Sequence, residues 1–171
     1  MFLTIKGGIY IMGSTGNSVI TTKKTTSANS NLNNKLTTAY QAVLDKAKAN
    51  AKANPNNLTY QNMVFNYTEL VKATKATNIQ IGKTYSGTQA IVALDSQTAL
   101  GFKVAITIDG KTTNYTLKYW SQSGFYGGKV WENEDGSHFS SDTSTILSSL
   151  YQLRGGKLKN DKTVKVKLLG K

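Results

Sequence analysis

The order of apolar and polar positions changes period several times along the chain. Leu36, Tyr40, Val43 and Ala47 recur at spacings of four, three and four, with Leu32 and Leu44 at the margin of their stripe. That is the pattern of a helix with one buried face. Alanine is dense from Ala39 to Ala53, and Lys46, Lys48 and Lys52 fall outside the stripe. Pro55 disfavours helical geometry in the residue before it, while Asn56 and Asn57 suit a turn and an N-cap. The helix is therefore predicted to end near Asn54. A second helix follows from Leu58 to about Thr74, on the stripe Tyr60, Val64, Tyr67 and Val71, widened by Met63 and Leu70. The two read as a helical hairpin.

Beyond Thr77 the period shortens. Ile79-Gln80-Ile81 predicts a short strand, and Ala90 to Leu94 a compact buried one bounded by Gly87 and Asp95-Ser96. Gly101 to Trp120 is the clearest element. Asp109-Gly110 is a two-residue hairpin turn, which sets Ile108 against Lys111, Ile106 against Thr113, Val104 against Tyr115 and Phe102 against Leu117. That face is predicted to be the core. The other face carries Lys103, Ala105, Thr107, Asn114, Thr116, Lys118 and Trp120 and is polar.

Gly124 to Gly128 predict a glycine-rich loop bearing Phe125 and Tyr126, followed by Lys129-Val130-Trp131 and an acidic cluster of Glu132, Glu134 and Asp135. A third helix is expected from Ser141, with the Ser141 hydroxyl as cap, Asp142 in the first turn, an apolar side of Ile146, Leu147, Leu150, Tyr151 and Leu153, and Gly155 as its stop. Val164, Val166 and Leu168 alternate with Lys165 and Lys167 in a last strand, expected at a sheet edge where lysines discourage further pairing. The fold class is α+β: an N-terminal helical hairpin and a third helix packed on a small, mainly antiparallel β-sheet.

Residues 13–30 are nearly all Gly, Ser, Thr, Asn or Lys, with Val19-Ile20 as an apolar pair. Such a segment buries too little surface to offset its ordering entropy, which predicts a flexible arm over 12–30 and a single domain over 31–171. The opening residues have two readings. Phe2 to Ile5 and Gly8 to Ile11 could form a first strand. Alternatively, Lys6-Gly7-Gly8 back-translates to a purine-rich ribosome-binding sequence, with Ile9-Tyr10-Ile11 as an AT-rich spacer before Met12. On that reading residues 1–11 are a translated leader and Met12 is the start.

Composition narrows the function. A formal charge of +12 and a pI near 9.8 favour polyanionic or acidic partners. Arg154 is the only arginine, and lysine acts as a point charge where arginine would clamp phosphates or read guanine edges. Residues 151–171 hold Arg154 and six lysines against Asp161, residues 31–76 six lysines against Asp45 and Glu69, and residues 77–150 five lysines against six acids. Positive charge thus concentrates on the helices and the C-terminal segment, and the hairpin reads as scaffold. The candidate residues for following phosphates or stacking on bases are Lys46, Lys48 and Lys52; Lys118 and Trp120; Phe125 and Tyr126; and Arg154, Lys157, Lys159, Lys162, Lys165 and Lys167. The competing role of these lysines is to solvate the fold and guard an edge strand.

Cysteine is absent, which excludes disulfides, thiolate metal sites and cysteine nucleophiles. No apolar run reaches membrane-spanning length, and Lys6-Gly7-Gly8 interrupts the only stretch resembling a signal peptide. A cytoplasmic protein is expected. His138 is the sole histidine, near Glu132, Glu134, Asp135 and Asp142. A metal or acid–base site would need those groups to converge, and a lone histidine beside a charged turn is more often a surface residue. No Gly-x-Ser-x-Gly elbow is present, and Gly82-Lys83-Thr84 copies only the tail of a phosphate-binding loop. The reading is a non-enzymatic binding protein without metal or cofactor.

The abundance of Lys, Asn, Ile, Thr and Tyr beside one arginine is the codon style of a low-GC bacterium or its mobile elements. A basic, cysteine-free chain with a Gly-Ser-rich opening resembles, in style and without a diagnostic motif, the small accessory proteins of phages and plasmids of low-GC Gram-positive bacteria. The resemblance implies contact with nucleic acid or a nucleic-acid-bound enzyme such as a host defence nuclease, as an inhibitor in the manner of anti-CRISPR proteins. The alternatives are a structural or surface-interaction protein such as a virion component, and an enzyme built around His138.

Overall fold

The computed structural model describes residues 13–121, 127–151 and 156–171, with side chains from Asn33 onward. Its elements are α1 (Gly13–Ala53), α2 (Leu58–Ala76), β1 (Thr84–Ser86), α3 (Thr88–Asp95), β2 (Lys103–Ile108), β3 (Lys111–Trp120), β4 (Gly128–Asn133), β5 (His138–Ser140), α4 (Thr143–Tyr151) and β6 (Lys165–Gly170). The strands form one sheet in the order β1-β6-β2-β3-β4-β5, and every neighbouring pair is antiparallel. This is the expected α+β architecture, opened by a helical hairpin. Among the described residues, no helix is long and apolar enough to cross a membrane.

The hairpin forms in the register set by its turn. Asp109 and Gly110 both take positive φ, 52° and 77°, the combination a two-residue type I′ turn requires. Ile108, Ile106 and Val104 then face Lys111, Thr113 and Tyr115. At the open end Gly101, with φ of 90°, donates its N–H to Leu117 O while the Leu117 N–H donates to Phe102 O, each at 2.8 Å. This glycine bulge brings Phe102 opposite Leu117. Val104, Leu117, Trp131, Val166 and Leu168 are fully buried, and with Ile91, Leu94 and Leu70 they make one continuous core.

The helical pair forms as the stripes predict. Tyr40, Leu44 and Ala47 are buried on α1, and Tyr67, Leu70 and Val71 on α2. Asn57 caps α2 by accepting the Tyr60 N–H at 3.1 Å. The helix α1 is assigned from Gly13, ahead of the apolar stripe. Once the packed part of a helix exists, extending it costs far less than nucleating it, so a segment with no apolar stripe of its own can continue it. The leader reading of residues 1–11 lies outside the described residues.

Four expectations are corrected. Ala90 to Leu94 is not a strand but the body of α3. Each of these residues is at most 1% exposed, and a short run buried on all sides carries no period to distinguish strand from helix. Its cap is remote in sequence: the Asn160 side chain accepts the Thr88 N–H at 3.0 Å. Ile79-Gln80-Ile81 does not pair; it leads into a turn, and the strand begins at Thr84. The cap of α4 is Asp142 rather than Ser141, since the Asp142 carboxylate accepts the Thr145 N–H at 3.0 Å. Finally, β6 is not an edge strand. It lies between β1 and β2, and the edges are the three-residue strands β1 and β5. The expected helix stop at Gly155, with Leu153, lies outside the described residues.

The segment that delivers β6 is anchored to α2 by a buried asparagine. The Asn66 amide donates to Gly156 O at 2.8 Å and its carbonyl accepts the Leu158 N–H at 2.6 Å. Asn66→Ala leaves both backbone groups without these partners in a buried setting and is predicted to cost about 2–3 kcal/mol. A lower urea midpoint at unchanged m-value in equilibrium unfolding is the expected result.

Candidate nucleic-acid interface

All four helices contribute to the core on one side of the sheet. Alternation along the strands therefore sends every second side chain to a face that no described helix covers. On β6 those residues are Lys165 and Lys167, on β2 Lys103, Ala105 and Thr107, and on β3 Thr112, Asn114, Thr116, Lys118 and Trp120. Glu132 and Val130 continue the face on β4, and His138 and Ser140 on β5. The four lysines are exposed. Glu132 is the carboxylate among these strand positions, and it pairs with Lys118 at 2.7 Å. Lys103, Asn114, Thr116, Lys118, Glu132 and Glu134 are among the residues lining a groove of about 240 Å³.

One corner of the face is aromatic. The Trp120 and His138 rings meet at 5.0 Å between centroids, with planes 36° apart. Trp120 is opposite Gly128 and His138 opposite Glu132, so Val130 lies between the two rings on the same face. Val130 is only 6% exposed. The register places the ring pair on either side of it, which accounts for the burial of an outward-facing valine.

The candidate residues do not form one surface. Lys118, Trp120, Lys165 and Lys167 come together on the open face, joined by Lys103, which was left out of the candidate set. Lys46, Lys48 and Lys52 are exposed on α1, on the helical side of the sheet. Lys157 also turns toward the helices, its ammonium 5.4 Å from the Phe65 ring centroid. Lys162 borders a second groove with Glu69, Lys72 and Gln89, and Lys159 is exposed in the same connection. Phe125, Tyr126 and Arg154 lie outside the described residues. His138 enters the site as a ring, through a β4–β5 pairing that no sequence pattern announced. Among the described residues, no three His, Asp or Glu side chains gather to hold a metal ion.

No protein family, curated protein or solved structure matches the chain. Its chemistry is therefore read from its own geometry.

The other titratable cluster is internal. Asp95, at the end of α3, accepts hydrogen bonds from the Tyr40 hydroxyl of α1 and, at 2.9 Å, from the Thr143 hydroxyl of α4. Burial raises the carboxyl to about 6, against the lowering effect of these two donors, and nearby Asp142 adds to the rise. Asp142 itself is lowered to about 2, chiefly by the Ser140 hydroxyl. Asp95 ties three helices together at a half-buried position and does not reach the open face.

The raised Asp95 carboxyl fixes a sign for pH dependence. The folded state holds this proton more tightly than the unfolded state, so its contribution to stability is complete below pH 4 and declines as pH rises through about 6. The shift of about 2 units corresponds to about 3 kcal/mol. Asp142 acts oppositely, in the separate window between about 4 and 2. Asp95→Asn is predicted to gain stability relative to wild type as pH rises from 4 to 7, by up to about 3 kcal/mol, in urea titrations at each pH. A constant difference between the two proteins would exclude this assignment.

Proposed function

We propose that the protein is a non-enzymatic binding protein whose open sheet face engages nucleic acid, free or held by an enzyme whose access it blocks. The observation that supports this best is the position of β6 beside β2. It joins Lys165 and Lys167 to Lys103 and Lys118 on one face that no described helix covers, where Glu132 and the groove-lining Glu134 provide opposing charge. Lysines on a sheet face attract phosphates without reading base edges, so the interaction is strong at low salt and tolerant of sequence. The accessory-protein style of the chain extends the reading to an inhibitor of a host nucleic-acid enzyme, acting in the cytoplasm.

The test is an oligonucleotide titration at about 50 and about 200 mM salt, with affinity expected to fall by an order of magnitude or more between them. Combining Lys103→Glu, Lys165→Glu and Lys167→Glu should lower the slope of log affinity against log salt by about 2 to 3. The same exchange at Lys46, Lys48 and Lys52 should change it much less. Loss of binding in the helix variant alone would overturn the assignment to the sheet. Binding to anionic phospholipid vesicles without binding to oligonucleotides would overturn nucleic acid as the ligand.

A further inference from the structure

We infer that the ligand of the open face is a single strand, its backbone running diagonally over Lys165, Lys167, Lys103 and Lys118 and a base stacking at the Trp120–His138 ring pair. The inference rests on the reading of this face as a nucleic-acid interface and specifies which form of nucleic acid it takes.

The register lays the cations out in order. Lys165 and Lys167 are two residues apart on β6. Lys167 is opposite Ala105, and Lys103 follows on the same face of β2, past a register shift that sets it opposite Gly170. Lys103 is opposite Thr116, so Lys118 is its diagonal neighbour, on β3. Two residues further along β3 is Trp120. Same-face residues two apart are separated by about 6.5–7 Å and diagonal cross-strand neighbours by about 7–8 Å, comparable to the phosphate-to-phosphate step of an extended single strand. The four lysines thus form one line across three strands, and it ends at an aromatic pair.

A duplex fits this layout poorly. Its phosphates wind around a cylinder, so a sheet face meets few of them at once, and among the described residues the face presents no helix or projecting ribbon that could enter the major groove. Paired bases also have no free ring face to offer Trp120 or His138, whereas the bases of a single strand do. The groove between Lys103 and Lys118 gives a nucleotide room beside the line. Glu132 holds Lys118 until a phosphate replaces it, so removing the Glu132 charge should tighten binding.

The chain contains two tryptophans, Trp120 and Trp131. Trp131 is fully buried, so fluorescence quenching on binding reports on Trp120. The experiment titrates the full chain with an oligothymidylate of about 12 nucleotides and with a duplex of the same length. The single strand is expected to quench fluorescence and to bind about tenfold more tightly than the duplex. Trp120→Phe keeps a stacking ring, so it should retain affinity within about threefold while losing the quenching. Trp120→Ala should weaken the single strand about tenfold and leave the duplex unchanged, the duplex affinity serving as a check that the sheet is intact. Glu132→Gln should strengthen single-strand binding severalfold. Equal affinity for strand and duplex with no quenching overturns this inference and leaves the nucleic-acid reading standing. No salt-sensitive binding to either overturns both.

Discussion

The pairing of β6 with β2 is the contact on which both faces of the sheet depend. Alternation in β6 puts Val164, Val166 and Leu168 at 3% exposure or less and leaves Lys165 and Lys167 in solvent. In this register Val166 faces Ile106 and Leu168 faces Val104, which places the C-terminal strand in the middle of the core. A slip of one residue would bury two ammonium groups and expose two aliphatic side chains, so the register is strongly specified. The same pairing sets Lys167 opposite Ala105, next to Lys103, and so creates the basic face. The core and the basic face are two consequences of one ladder.

What fixes that ladder lies partly far from it. Asn66 on α2 holds the backbone at Gly156 and Leu158, and Asn160 caps α3. Gly87, at the start of α3, has φ of 63°, and a Cβ there would fall 2.0 Å from Asn160 Oδ1. The Tyr151 hydroxyl of α4 donates to Gly87 O, and Gly87 in turn donates its N–H to Val164 O at 3.0 Å. These bonds carry the connection between α4 and β6 across the helices, so the last strand is positioned by α2, α3 and α4 together.

Sequence pattern shows how far local rules reach. The hairpin was legible because Asp109-Gly110 specifies its turn and the alternation agrees with it. The helical pair was legible because each stripe runs for several turns. Ala90 to Leu94 was not, because burial on every side erases the period. β6 was recognisable as a strand, but its neighbours depend on a pairing between residues 103–107 and 165–170 that no local signal encodes. The same limit applies to the site. Counting charge by segment made the hairpin look neutral and the C-terminal segment basic, yet a sheet mixes segments by strand order. Only the topology reveals that Lys103 and Lys118 share a face with Lys165 and Lys167.

Among the described residues the cations on that face are lysines, which bears on the kind of recognition it can support. An ammonium group attracts phosphate over a distance comparable to the Debye length, about 8 Å at physiological salt, but fixes no plane and no hydrogen-bond pattern. The exposed Lys118–Glu132 pair adds little stability, since such pairs are worth at most about 1 kcal/mol. Its effect is better understood as competition, with a carboxylate occupying a cation that a phosphate could take. Selectivity on such a surface has to come from shape and stacking, and the face provides both in limited form. It is a sheet surface that no described helix covers, which disfavours a cylinder, and among the described residues it carries the Trp120–His138 ring pair, which favours an unpaired base. A surface of this kind suits occupancy of a strand already exposed by other machinery better than the search for a particular sequence.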